Sequence, residues 1–169
     1  MVSVLSFDNI ERLIRRKTFG ILSTVSTKGF SQSTGVLYGV SQSDEFCLYI
    51  YTYGSYRKTQ NIKNNPKVSF VIPFPHHFFR FVPANTIAFQ ATAEIIPIDN
   101  LDANHAFRTH RVLKMMIDDS EPDSGTLFLK LRPGKRLHVY GLGNSILELR
   151  KSHETGNYDV EIPSNRRAS

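Results

Sequence analysis

Short strand-like runs separated by tight turns leave this chain few architectures to adopt. Ile21-Leu22-Ser23-Thr24-Val25 leads through the turn Thr27-Lys28-Gly29 into a second run over residues 31–40. Ser43-Asp44-Glu45 separates that run from a third over residues 46–51, and Asn65-Pro66 precedes a fourth over residues 68–72. Residues 86–97 form a long fifth run, with Ile87, Phe89, Ala91 and Ala93 alternating onto one face. Arg132-Pro133-Gly134 joins two more runs at residues 126–131 and 137–141. Alternation bounded by turn residues reads as strands. Connections this short suit antiparallel neighbours, because a parallel pair needs a crossover of roughly a dozen residues. Six or seven such strands would close into a small barrel, which removes exposed edges.

Two or three helices flank these strands. Asp8-Asn9-Ile10-Glu11 has the form of a capping box, with Asp8 at the N-cap and Glu11 at N3, and Ile10, Leu13 and Ile14 supply an apolar face. A second helix is expected from Ser55, a good N-cap, to Asn64, where Asn65-Pro66 stops it. A third is expected over residues 99–117, capped by Asp99, with Asp102 in its first turn and Phe107, Val112, Leu113 and Met116 among its apolar positions. Residues 118–125 read as an acidic loop, and Ile146, Leu147 and Leu149 as a weaker last strand or helical turn. Beyond Lys151 the chain reads as polar and frayed apart from Val160 and Ile162. The expected layout is one domain over residues 1–150 and a polar tail over 151–169.

Composition narrows the function. With 40% apolar residues in 169, one core can be filled. No apolar run approaches the ~20 residues that span a bilayer, and Met1-Val2-Ser3-Val4-Leu5-Ser6 lacks the basic start of a signal peptide, so a cytoplasmic location without membrane partners is expected. The lone Cys47 excludes an internal disulfide framework and a thiolate metal cluster, and its setting in Phe46-Cys47-Leu48-Tyr49-Ile50 makes it a buried small hydrophobe. The net charge of +6 favours acidic partners, but the basic residues are spread out rather than massed, which argues against nucleic acid.

The sharpest chemical signal is Tyr51-Thr52-Tyr53-Gly54-Ser55-Tyr56-Arg57-Lys58. It ends a strand and opens a helix, and two adjacent cations fall in that helix's first turn. Cations there oppose the macrodipole, so a solvated surface role is an uncomfortable explanation; a bound anion resolves the conflict. Arg offers a planar fork and Lys a point charge, which together suit a phosphate. Gln32, Ser33 and Thr34 form a polar stretch in a strand that turns apolar at Val36 and Leu37. It is read either as a solvated edge or as partners for a ligand's polar edge.

The order of Gly20-Ile21-Leu22-Ser23-Thr24-Val25, Thr27-Lys28-Gly29, Tyr51-Thr52, Arg57-Lys58, Asn61-Ile62 and Asn65-Pro66-Lys67-Val68 resembles the flavin-binding split-barrel family related to pyridoxamine 5′-phosphate oxidase. The likeness covers residues 10–97 well and the rest loosely. It implies a six-stranded antiparallel split β-barrel, a homodimer with FMN between the subunits, and oxidoreductase activity on a small molecule. It also implies that Arg57 and Lys58 grip the FMN phosphate, that Tyr51 and Thr52 assist, and that Gln32, Ser33, Thr34, Gly35 and Val36 line the ring and ribityl chain, with Gln90 as a further candidate. There are departures. The chain has no Trp. Arg136-Leu137-His138 is followed by Val139-Tyr140, so the closing Arg of the family's substrate signature is missing and pyridoxine phosphate is not the expected substrate. The cation that often ends the family's strand-two motif has no counterpart either, Tyr38 to Val40 standing there instead.

Other patterns carry less. No Gly-x-Gly-x-x-Gly after a strand, P-loop, catalytic triad or hydrolytic carboxylate pair is present. His76 and His77 are adjacent and diverge on a strand, which disfavours joint ligation of a metal or haem. Asp102 and His105 share a helix face, but His110 turns away, so a surface helix is the default there. Phe78, Phe79 and Phe81 are expected in the barrel mouth or a dimer interface. Deazaflavin F420 on the same fold, and a non-enzymatic flavin or haem carrier or sensor, remain as alternatives to FMN.

Overall fold

The computed structural model describes residues 5–75, 84–119, 125–142 and 156–167. The expected positions His76, His77, Phe78, Phe79, Phe81, Ile146, Leu147 and Leu149 lie outside them. In chain order the elements are α1 (Phe7–Arg15), β1 (Phe19–Val25), β2 (Ser31–Leu37), β3 (Gly39–Val40), β4 (Leu48–Tyr53), α2 (Arg57–Asn64), β5 (Lys67–Phe74), β6 (Asn85–Pro97), α3 (Leu101–Arg108), α4 (Arg111–Asp118), β7 (Thr126–Pro133), β8 (Arg136–Tyr140) and β9 (Asn157–Glu161).

All strand pairs are antiparallel, in the order β2-β1-β5-β6-β7-β4-β3, with β8 on β6 and β9 on β8. The long strand β6 divides one edge between two partners: residues 86–88 pair with β8 and residues 91–97 with β7. This division splits the curled sheet, giving a split barrel. Its inside is packed by alternating side chains, among them Leu22, Phe70, Phe89, Leu129 and Val139, each no more than 1% exposed. Full burial of such a side chain contributes ~1.5–3 kcal/mol. α1 closes one end through Ile10 and Ile14, and the Tyr38 hydroxyl donates to the Ile14 carbonyl at 2.8 Å. A second core, with Phe107, Leu113, Tyr49, Phe128 and the buried Cys47, holds α3 and α4 against the outside of β4 and β7.

Several expectations are corrected. The described sheet has nine strands rather than six or seven, partly because Tyr38 interrupts the second run to give β2 and β3. The N-cap of α1 is Ser6, whose hydroxyl accepts from the Asn9 N–H, and Asp8 sits inside the first turn. The N-cap of α2 is Tyr56, with no side-chain cap, rather than Ser55. Residues 99–117 form two helices. Asn100, not Asp99, caps the first through its side-chain oxygen, and the break falls at Thr109-His110. There the Thr109 hydroxyl donates to the Ala106 carbonyl at 2.7 Å, and His110 Nε2 lies 2.7 Å from the Arg15 carbonyl. Part of the supposedly frayed C-terminal region forms β9, because Val160 and Ile162, at 6% and 2% exposed, belong to the barrel core.

Candidate cationic cleft and the adjoining sheet face

The corner between β4 and α2 is tied down by its own polar groups. The Thr59 hydroxyl donates to the Tyr53 carbonyl at 2.8 Å, Gln60 Nε2 to the Gly54 carbonyl at 2.6 Å, and the Gly54 N–H to the Gly125 carbonyl at 2.8 Å. These bonds fix the first turn of α2, where Arg57 and Lys58 are the first two helical residues. No acidic residue shares that turn. Among the described residues, neither cation forms an ion pair. Lys58 Nζ stands 4.5 Å from the centroid of the Tyr56 ring, and partial burial pulls its ammonium below the ordinary lysine range.

Arg57 and Lys58 meet Thr24, Gln32, Ser33 and Thr34 around a cleft of about 290 Å³. The sequence places Arg57, Lys58, Gln32, Ser33 and Thr34 at one site, and the structure brings these five together. It adds two residues that sequence reasoning missed. Asn61, buried on the inner face of α2, donates from Nδ2 to Thr24 Oγ1 and to Gln32 Oε1, both at 2.9 Å. With its oxygen engaged, the Gln32 amide keeps its N–H donors for a ligand. Thr24 pairs directly opposite Gln32 in the β1–β2 hairpin, so its place was legible once the hairpin register was known. Asn61 stands in the Asn61-Ile62 segment that carries the family resemblance, but only the fold shows that it reaches Thr24 and Gln32.

The remaining candidates stand elsewhere. Val36 is 7% exposed and packs in the barrel core, so only its backbone faces the β2 edge. Gly35 lies on the outer face, where a Cβ would come within 2.9 Å of the Phe19 ring. Tyr51 and Thr52 project to opposite faces of β4: Tyr51 stacks edge-on with Phe128 at 5.8 Å, and Thr52 is 2% exposed on the barrel side. Among the described residues, Tyr51 Oη and Thr52 Oγ1 are both buried without a hydrogen-bond partner, an arrangement native proteins seldom leave unexplained. Gln90 is exposed on the outer sheet face, in a separate cleft of about 730 Å³ shared with Ser23, Ser69, Lys67 and Arg132.

Two charged clusters away from the cleft are structural. Glu11 accepts from Arg15 at 2.6 Å and from Arg166 at 2.8 Å, joining α1 to the chain beyond β9. Asp102 accepts from the Ser41 and Tyr49 hydroxyls, each at 2.6 Å, and fastens α3 to the sheet. Burial alone would raise the Asp102 pKa; those bonds, the Gln42 N–H and the Lys130 charge outweigh it and hold the carboxyl below its usual range.

A curled antiparallel sheet split along β6, with a cationic corner at α2, defines a protein of the split-barrel class. The chain belongs to the pyridoxamine 5′-phosphate oxidase family, whose profile matches residues 7–140. No curated protein sequence is significantly similar. Among solved structures the chain is similar to the haem storage protein HutZ from Vibrio cholerae, at 17% identity over 82% of this chain and 98% of that one, with a TM-score of 0.66. It is also similar to a haem-binding protein from Mycobacterium smegmatis, at 15% identity and TM-score 0.69, covering 95% of this chain and 60% of that one. A FAD-binding protein from Mesorhizobium loti matches at 19% identity over 78% of this chain and 90% of that one, with a TM-score of 0.57. At these identities the likeness carries the fold alone. No helix among the described residues is long and apolar enough to cross a membrane.

Proposed function

We propose that this protein is an FMN-dependent oxidoreductase that acts on a small molecule as a homodimer. The observation that carries the reading is the adjacent pair Arg57–Lys58, without a carboxylate partner among the described residues, over a hydroxyl-lined cleft. A phosphate there would meet two cations and the N–H groups of the first turn of α2, with the Ser33 and Thr34 hydroxyls alongside. Each charge-assisted bond contributes ~1.5–3 kcal/mol, so two or three decide whether the cofactor stays bound. An anion would also relieve the desolvation of Lys58. A cleft of about 290 Å³ suits a phosphate and part of the ribityl chain, and the tricyclic ring would extend beyond it. Phe19 and Phe30, 48% and 69% exposed, offer apolar surface for a second copy near the same hairpin. When bound, the flavin supplies the electron chemistry, and the chain contributes binding, orientation and electrostatics.

Haem is the second reading. It is favoured by His138, whose Nδ1 lies 2.5 Å from Asp159 Oδ1 and whose ring borders an open cleft of about 610 Å³. A carboxylate on one ring nitrogen orients an imidazole to offer the other to a metal.

The test is the absorption spectrum of freshly purified protein followed by titration with FMN. Two flavin bands support the proposal; a lone deazaflavin band or a Soret band replaces FMN with F420 or haem. Changing Arg57 and Lys58 together to Ala should weaken FMN binding at least tenfold, about 1.4 kcal/mol, with the circular dichroism unchanged. Equal affinity in the variant would remove the phosphate role.

A further inference from the structure

The residue that caps α2 is unusual for its place. An N-cap position favours a short polar side chain that accepts from the first turn, and Tyr56 makes no such bond. Its backbone is nonetheless engaged on both sides. The N–H donates to the Tyr53 carbonyl at 3.2 Å, and the carbonyl accepts from the Thr59 and Gln60 N–H groups at 2.9 and 3.1 Å. The main chain is therefore fixed while the ring stands out, 48% exposed. Tyr53 backs it, with ring centroids 5.1 Å apart and planes inclined at 56°. Tyr53 leans in turn on Tyr51, and Tyr51 on Phe128, at 6.3 and 5.8 Å. A ladder of aromatic rings thus leads out of the second core and ends in water at Tyr56.

Arg57 and Lys58 follow Tyr56 directly, and Lys58 joins the ring to the cationic cleft. It lines the cleft of about 290 Å³ and sets its Nζ 4.5 Å from the Tyr56 centroid. A charge-assisted bond to a phosphate is stronger than a cation–π contact at an exposed site, so an anion in the cleft would draw the ammonium off the ring. The face it leaves is an uncovered aromatic surface beside a seated phosphate. A nucleotide has the same two parts: a flat ring and, one sugar away, a phosphate.

Resting on the phosphate reading of this corner, we infer that Tyr56 is a base-stacking subsite, and that the corner takes a purine nucleotide with its phosphate on Arg57 and Lys58 and its base on the Tyr56 ring. Any base has a π-face that suits such a platform, and a purine overlaps it more than a pyrimidine does. Stacking one base on an aromatic side chain strengthens binding roughly 5- to 150-fold. The ring stands on a fixed backbone, so little freedom is lost when a base settles on it. Two sources share this chemistry. One is the adenylate half of a flavin dinucleotide, whose flavin half keeps the place given to FMN. The other is a free adenine nucleotide, which competes with FMN for the two cations.

Calorimetric titration of the unaltered protein and of Tyr56→Ala with FMN, FAD and AMP tests this. FMN has no second ring, so Tyr56→Ala should not weaken it. The variant should weaken FAD or AMP at least fivefold, and Tyr56→Trp should restore what is lost. A loss confined to FAD assigns the subsite to the dinucleotide, and a loss confined to AMP assigns it to the free nucleotide. If Tyr56→Ala leaves FAD and AMP unchanged, or weakens FMN by the same factor, the ring is not a base platform, while the FMN reading stands on its own cations. If FAD or AMP binds through Tyr56 and FMN does not bind, the FMN reading falls alone. If none of the three binds the unaltered protein, both fall. Tyr56→Leu, which keeps bulk without a π-face, repeats the measurement should Tyr56→Ala misfold, and the same outcomes apply to it.

Discussion

Asn61 offers the most direct way to ask whether the candidate site is held together as described. It is 6% exposed, and its single amide nitrogen serves both Thr24 and Gln32 at 2.9 Å. Asn61→Leu keeps the volume and removes both bonds. Thr24 is 1% exposed, so its oxygen would lose its donor in a place water does not reach, and its own donation to the Gln32 carbonyl is long, at 3.5 Å. Leaving a buried acceptor unpaired costs ~1–3 kcal/mol. Gln32 is half-buried and can turn to water, so its loss adds only ~0.5–1 kcal/mol. The variant should therefore be less stable by roughly 2–3 kcal/mol in urea unfolding at neutral pH. Thr24→Val in the Asn61→Leu background removes the stranded oxygen along with its lost partner. The double variant should recover at least ~1 kcal/mol relative to the sum of the single changes, the coupling expected of groups in contact. A cost below ~0.5 kcal/mol for Asn61→Leu, or strictly additive single changes, would show that Asn61 does not hold these strands.

Asp102→Asn should lower stability at pH 7, and the gap from the unaltered protein should narrow at pH 3, as read from urea midpoints. The native carboxyl has a depressed pKa, so its contribution is complete above ~pH 4, the ordinary Asp value, and fades as pH falls through the native one; a constant gap would contradict this. Gly20→Ala would drive a Cβ into the Phe70 ring in the barrel core, a strain of ~1–3 kcal/mol that should lower Tm by roughly 2–12 °C; an unchanged Tm would mean the ring moves aside freely.

The sheet was largely legible because its information is local. Alternation in residues 86–97 named the buried face of β6, and Ile87, Phe89, Ala91 and Ala93 are all buried. Turn residues marked most of the hairpins. Helix ends were misread where a second capping residue stood within two positions of the first, as with Ser6 and Asp8 or Asn100 and Asp99. The break between α3 and α4 has a tertiary cause: His110 meets the carbonyl of Arg15, 95 residues away, and no periodicity reports that. The pairing of β8 with β9 was hidden for the same reason, since Val160 and Ile162 acquire their meaning only against a barrel built by distant segments. At the candidate site, the charges could be read because two cations opening a helix conflict with local electrostatics. Thr24 and Asn61 lie in segments that carry the family resemblance, yet their places at the cleft follow only from strand register and contact.

The clasp between Glu11 and Arg166 spans 155 positions, so α1 meets one of its partners only after every strand from β1 to β9 has been made. Until then Arg15 is the carboxylate's companion, and the backbone N–H of Phe46 lacks the Arg166 carbonyl that it binds in the finished fold. A nascent chain can assemble its early hairpins on the ribosome, but this seam stays open until Arg166 emerges. Such long-range closure slows folding and leaves the open seam exposed to wrong partners for longer.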